Sequence, residues 1–422
     1  MHTQAFLASE LAPRAATDCL FQVIPVPYEA TVSYGGGTAD GPAAILAASQ
    51  QLEVWTGRSI PSRRGIFTWP AVDCSGRAED VLERIEAAVA AALEAGPQGP
   101  LPEAGPERAL PDASAAPPSS AAPPSSAEPP SSAEPPSSAA PPSSAEPPSS
   151  AASPASLPIP ASAFAPDFAA MATAPRCLSA SVLPVILGGE HTVTLGVLRA
   201  LKKRYGHFGV IQFDAHADLR DSYEGSPYSH ACVMRRAVDD LGLALFQIGV
   251  RSLCPEEVAC RKDRDIPHLD ARAARFPLRG TEDGACGGGG FSMSGGGGQP
   301  SSGGGPLPPH AGGGSVVPGA DGRFSGACDP LLPAGFPDKV FLTFDLDAFD
   351  ASLMPATGTP EPGGLFWWDA LALAERALAG RVALGFDVVE LAPIPGMHAP
   401  NYTAARLTHE IMGIIAREAD EQ

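Results

Sequence analysis

Val210–Asp218 reads VIQFDAHAD. A run of β-formers from Gly209 to Phe213 stops at Asp214-Ala215-His216-Ala217-Asp218. In extended chain, alternate side chains point to one face. Asp214, His216 and Asp218 can therefore converge on one small volume just past a strand end. A strand that ends in three potential metal ligands invites comparison with the other strand ends of the chain.

Upstream, Phe21–Val26 (FQVIPV) and Val182–Leu187 (VLPVIL) read as buried strands. The second ends at Gly188-Gly189-Glu190-His191, and a helix follows to about Tyr205. Downstream, Leu245–Val250, Lys339–Phe344 (KVFLTF) and Arg381–Phe386 read as strands. The last two end at Asp345-Leu346-Asp347 and at Asp387-Val388-Val389-Glu390. Helical segments are expected at 43–52, 78–95, 231–241, 255–264, 368–378 and 406–418. Ala78–Ala95 is the clearest, with Val81, Leu82, Ile85, Val89 and Leu93 near helical spacing. Strands alternate with helices, which predicts an α/β fold on a mostly parallel sheet.

Two tracts break this order. Residues 97–160 carry repeated AAPPSS and AEPPSS units, and residues 280–334 carry GGGG and GGGGQPSSGGG. Neither holds enough apolar surface to offset its ordering entropy, so both read as disordered insertions in one domain. They account for much of the 47 Pro and 45 Gly among 422 residues. Roughly 300 residues remain, enough for one large core.

The net charge is −19 and no basic patch is present, which argues against nucleic acid or anionic membrane as a partner. No apolar run approaches the length of a membrane span. The eight cysteines form no C-x-x-C pair and no disulfide framework. MHTQAFLASELAPRAATD lacks the pattern of a secretory signal. The expectation is a cytoplasmic protein. Glycines 35–37 precede a helix, but no Lys-Ser/Thr and no G-x-G-x-x-G accompany them. A tight loop lining a pocket is expected there, not a phosphate cradle.

In an open parallel sheet, function gathers outside the carboxyl ends of the strands. Four strands bring His191, Asp214, His216, Asp218, Asp345 and Asp347 to that edge, with Asp387 and Glu390 beside them. An isolated Asp-x-Asp would be an ordinary solvated turn. Four aspartates in one place repel unless cations neutralise them. The set is oxygen-rich, has two imidazoles and has no thiolate, which points to Mn²⁺ ahead of zinc or calcium.

The chain resembles the ureohydrolases: arginases, agmatinases and their relatives. The matching stretches are GGEHTVTLG (188–196), QFDAHADLRDSYEGSPYSHACVMRR (212–236), LTFDLDAFDASLMPATGTPEPGGL (342–365) and FDVVELAP (386–393). VPYEATVSYGGGTADGPAAILAASQQLE (26–53) resembles the N-terminal segment of agmatinases. The resemblance implies a three-layer α-β-α fold and two Mn²⁺ per chain. It implies one ion held by His191, Asp214, Asp218 and Asp345, and the other by His216, Asp214, Asp345 and Asp347. A hydroxide between them would attack a guanidinium carbon, with Asp218 orienting it. His230 would pass a proton to the departing amine, and Glu390 would bind the guanidinium. Trimers or hexamers are implied as well. Glu190, Ala217 and Ala351 stand where the family usually has Asp, Thr and Pro.

The segment LRDSYEGSPYSHA (219–231) is similar to that of agmatinases, which implies agmatine as substrate, giving putrescine and urea. Tyr223, Glu224 and Tyr228 are candidates to line the pocket for its tail. The alternatives are another ureohydrolase activity (guanidinobutyrase, arginase or a formimino substrate) and a non-catalytic binding protein.

Overall fold

The structure, a computed structural model, describes residues 4–57, 59–97, 178–179, 182–275 and 331–416. The expected insertions, apart from residue 97 and residues 331–334, lie outside the described residues. All described residues fall in one compact unit, within Met1–Glu103 and Ala170–Gln422.

Nine strands form one sheet among the described residues. They are β1 (Phe21–Val26), β2 (Ile66–Thr68), β3 (Leu178–Ser179), β4 (Leu183–Gly188), β5 (Gly209–Phe213), β6 (Ala244–Ile248), β7 (His268–Leu269), β8 (Lys339–Asp345) and β9 (Val382–Val389). Their order is β2-β1-β4-β9-β8-β5-β6-β7, with β3 also paired to β9. Every strand pairing is parallel. The chain lays β1, adds β2 on its outer side and β4 on its inner side, and then builds β5, β6 and β7 outward on the other half. It then returns to insert β8 and β9 between β4 and β5. The four central strands, β4, β9, β8 and β5, are the four whose ends carry the predicted ligands.

The helices are α1 (Gly41–Ser49), α2 (Ala78–Ala95), α3 (Val193–Tyr205), α4 (Val233–Asp239), α5 (Pro255–Asp263), α6 (Ala271–Arg275), α7 (Trp367–Leu378) and α8 (Ala399–Ile415). They cover both faces of the sheet. Val23, Val185, Ile211 and Phe213 pack on one face with Ile45 of α1, Ala370 of α7 and Leu407 of α8. Ile24, Ile186 and Val210 pack on the other with Ile85 of α2, Leu198 of α3 and Met234 of α4. Period-2 alternation along each strand thus feeds two cores, giving the three-layer α/β fold. All six residues of β4 and all five of β5 are buried. Each fully buried Val, Leu or Ile contributes about 1.5–3 kcal/mol.

Several expected boundaries move. β9 runs to Val389, so Asp387 lies inside the strand and only Glu390 lies beyond it. The last helix begins at Ala399, seven residues before the expected 406, with Pro400 in its first turn, where a missing N–H costs nothing. Residues 230–232 form a 3-10 turn, and regular helix starts at Val233. The short strands β2, β3 and β7 were not anticipated, because two or three residues carry no period.

Candidate metal centre

The glycine pair before His191 has a steric cause. A Cβ on Gly189 would lie 2.0 Å from the Tyr28 carbonyl oxygen, so only glycine lets β4 turn this tightly against the β1 loop. The turn aims His191 across the ends of β9 and β8. Its backbone N–H donates to Glu390 Oε1 at 2.6 Å. Glu390 itself sits at φ 67°, a strained conformation for a side chain other than glycine. Asp218 is likewise at φ 53°.

His191 Nδ1 lies 2.9 Å from Asp218 Oδ2, 3.2 Å from Asp214 Oδ2 and 3.4 Å from Asp345 Oδ2. This buried nitrogen makes no hydrogen bond among the described residues. The other ring nitrogen, Nε2, is 2.9 Å from Thr343 Oγ1, and Thr343 in turn reaches the Asp387 carboxylate. The Thr343 hydroxyl has one hydrogen, which Asp387 takes, so Nε2–H donates to Thr343 and Nδ1 is the nitrogen turned to the carboxylates, where a cation could replace its proton. His216 Nδ1 is 2.9 Å from Asp347 Oδ2 and 3.6 Å from Asp214 Oδ1. The two oxygens of Asp214 are therefore divided between the two imidazoles. Two groups have the compactness to hold an ion: His191, Asp214 and Asp345, and Asp214, His216 and Asp347.

The charges in this cluster do not balance. Burial pushes Asp345 well above the usual carboxylate range, helped by the charges of Asp347 and Asp214. Burial and the Asp214 charge push Asp218 up to about 7. His216 rises to about 12: burial opposes its charged form, but Asp347 and Asp214 outweigh burial. His191 also rises well above the ordinary imidazole value, held up by Asp214, Asp218 and Asp345 against burial. Four carboxylates and two imidazoles with a nitrogen turned to them fit divalent cations of the oxygen- and nitrogen-binding class.

A cavity opens on this cluster. His191, His216, Asp218, Asp345, Asp347, His230 and Glu390 line it, together with Val32, Ser33, Tyr34, Gly358 and Thr359. Residues 32–34 precede the glycines at 35–37, and Gly35 packs on Gly358, its N–H donating to the Gly358 carbonyl at 3.1 Å. The glycines expected to line a pocket are not themselves among the lining residues; the three residues just ahead of them are. Burial, with the charge of Glu190 added, pushes Glu390 well above the usual carboxylate range. Burial holds His230 below the ordinary imidazole value.

Tyr223 and Glu224 do not line this cavity. Glu224 is exposed at a turn with φ 49°. Tyr223 stands edge-on to His230, ring centroids 6.0 Å apart, with the Arg220 guanidinium over its other side. The two residues sit at a tight turn closed by mutual Tyr223–Ser226 backbone hydrogen bonds. Tyr228 packs beneath Arg199.

Three supports escape sequence reasoning. Arg261 Nε donates to Gln247 Oε1 at 2.7 Å, Gln247 Nε2 to Gln212 Oε1 at 2.5 Å, and Gln212 Nε2 to Asp214 Oδ2 at 2.7 Å. Arg261 is donor-only, so both amide orientations follow from it. Arg251 donates to six backbone carbonyls, including Asp347, Phe349 and Glu361. Thr31 bridges Glu190 and His230. The two glutamines left a trace: each is a polar residue inside an otherwise apolar strand. Arg251 and Thr31 left none.

The Arginase family matches residues 20–101, 168–276 and 332–413, more than half of the chain, and omits most of both biased tracts. N(1)-aminopropylagmatine ureohydrolase of Synechocystis is 28% identical over 97% of this chain and 92% of its own length. Agmatinase of Pyrococcus horikoshii is 30% identical over 57% of this chain, and the match spans 66% of that enzyme, just under two thirds. The crystal structure of agmatine ureohydrolase from Thermoplasma volcanium superimposes with a TM-score of 0.56 at 21% identity, covering 98% of this chain and 95% of that one. With this fold and these strand ends, the chain belongs to the arginase family, hydrolases acting on C–N bonds of amidines.

Proposed function

We propose that this protein is a manganese-dependent ureohydrolase that converts agmatine and water to putrescine and urea in the cytoplasm. The observation that carries the reading is a cavity lined by five of the six candidate ligands together with His230 and Glu390, with the sixth ligand, Asp214, buried between the two imidazoles beneath it. His191, Asp214, Asp218 and Asp345 would hold one Mn²⁺, and His216, Asp214, Asp345 and Asp347 the other. The cations would supply an activated water at neutral pH.

The chain's own residues do the remainder. Glu390, when ionised by a bound cation, accepts the guanidinium N–H groups. This fixes the guanidinium carbon toward the carboxylate cluster. Water oxygen adds to that carbon to give a tetrahedral intermediate, which collapses by breaking the bond to the alkyl nitrogen and leaves urea. His230 carries the proton that the departing amine needs. Val32, Ser33 and Tyr34 form the rim over which the alkyl tail leaves the cavity, and Tyr34 is 86% exposed there. Five free cysteines among the described residues agree with a reducing compartment.

A second reading has its own support. The relative matched over 97% of this chain is named for N(1)-aminopropylagmatine, a longer amine. The discriminating experiment measures urea from manganese-loaded protein with agmatine, N(1)-aminopropylagmatine, arginine and 4-guanidinobutyrate in parallel. The highest kcat/KM on agmatine is expected. Activity confined to another of the four overturns the substrate assignment, and formamide in place of urea from a formimino substrate overturns the reaction. Asp345→Ala should lose metal and turnover together.

A further inference from the structure

Thr31 lies about 160 residues from Glu190 and 199 from His230 in sequence, yet it joins them. Its side-chain hydroxyl is 2.8 Å from Glu190 Oε1 and 3.1 Å from His230 Nδ1. It also accepts the backbone N–H of His230 at 3.0 Å. A hydroxyl has one hydrogen to give. Glu190 takes that hydrogen, because an ionised carboxylate can only accept, and its other partners here are all donors. The amides of Ala30 and Thr31 donate to Oε2 at 2.7 Å each, and the Thr192 hydroxyl donates to Oε1 at 2.8 Å. Thr31 therefore has only lone pairs left for the imidazole, and Nδ1 must be the donor.

We propose that the Glu190–Thr31 pair locks His230 in the tautomer with its proton on Nδ1, leaving the Nε2 lone pair for the cavity, and that Thr31 is a positioning residue for proton transfer. His230 lines the cavity, and with Nδ1 turned to Thr31 only Nε2 is left to meet a ligand there. Nε2 accepts a proton, and the same proton leaves from Nε2 to the amine nitrogen as the C–N bond breaks. While both nitrogens are protonated, the Nδ1–H stays on Thr31 and the Glu190 charge sits one hydroxyl away. The opposite assignment would come from Ser229, whose hydroxyl could donate to Nδ1, but that contact is longer at 3.4 Å. The role in turnover rests on the ureohydrolase reading; the tautomer does not.

The test uses the full chain with ¹⁵N-labelled histidine, loaded with diamagnetic Zn²⁺, and reads the His230 ring nitrogens by NMR. His230→Asn supplies the assignment. The expected spectrum has a protonated-type shift at Nδ1 and a bare-nitrogen shift at Nε2. Ser229→Ala and Thr31→Ser should preserve it, and Thr31→Val should lose it. With manganese, Thr31→Val should lower kcat by about 100-fold, the lower end of what a general acid contributes, with KM within about twofold and metal content unchanged. Thr31→Ser should restore kcat to within about threefold. A wild-type spectrum with the proton on Nε2 overturns the proposal, as does a Thr31→Val protein that keeps the wild-type tautomer. If no guanidino substrate is turned over, the ureohydrolase reading fails and the spectrum still decides the tautomer.

Discussion

Arg251→Lys separates the geometry of one guanidinium from its charge. Arg251 Nε donates to the Pro362 carbonyl at 3.2 Å, and Nη1 to those of Gly249 at 3.1 Å and Ala348 at 3.5 Å. Nη2 serves Asp347 at 2.7 Å, Glu361 at 2.8 Å and Phe349 at 3.1 Å. Its five donors tie the turn that presents Asp347 to the loop at 361–362 and to the end of β6. A lysine keeps the positive charge near Asp347 but offers three donors from one point, with no planar fork. About three carbonyls then lose their partner. At roughly 1 kcal/mol each, the chain should lose about 3 kcal/mol of stability. Asp347 should also wander, and loss of a partner that orients a ligand lowers metal affinity about 10–100-fold. The loss should fall on the His216–Asp347 side, with the His191 side retained. Urea unfolding gives the stability, and manganese content after dialysis gives the affinity. A variant with unchanged stability and both ions intact would refute the clamp. So would equal loss of both ions.

Thr343→Val removes the acceptor for His191 Nε2–H and should weaken metal binding about 10–100-fold in a manganese titration while the fold persists; unchanged affinity would show that Asp387 and Thr343 do not orient the ring. His409 on α8 is buried and neither ring nitrogen has a hydrogen-bond partner among the described residues; burial, then Arg406, hold its pKa at about 4 against an ordinary 6.5. Below pH 6.5 the unfolded chain binds a proton that the folded chain refuses until about pH 4, so stability falls as pH falls through that window, by about 3 kcal/mol. In metal-free protein, His409→Leu should show that much less acid destabilisation than wild type between pH 7 and 4; equal slopes would remove His409 from the account. Deletion of Ala104–Ala169, a unit the family match almost wholly skips, should leave kcat/KM within about twofold, since loop length enters stability only logarithmically; a tenfold loss would give that unit a part in turnover.

The centre was largely legible because a parallel sheet delivers the ends of its strands to one edge. Reading where VLPVIL, GVIQF and KVFLTF stop was enough to bring His191, Asp214, His216, Asp218, Asp345 and Asp347 together. Two kinds of residue resisted that reading. Asp387 reads as a structural acid at the end of a strand that stops at Phe386; pairing with β8 carries the strand on to Val389, and Asp387 anchors Thr343 from inside it. Tyr223 and Glu224 are near His230 in sequence, but neither lines the cavity: Tyr223 packs against the His230 ring, and Glu224 is exposed at a tight turn. Thr31, Arg251 and the two glutamines act through contacts made between distant segments. A hydroxyl or an amide has no spacing that announces such a partner. Even the position of β8 and β9 between β4 and β5 follows from the finished sheet, not from any local pattern.

Because all nine strands run the same way, the sheet has a front rim and a back rim. The front carries the cluster of acids and imidazoles. The described chain resumes at the start of β3 after one biased tract and just ahead of the start of β8 after the other. Both returns are to the back rim. For the first tract the departure is there too, since Gly96 lies against Val182 just ahead of β4. A tag spliced into that tract would be flanked on both sides by chain anchored at the rim away from the cavity mouth.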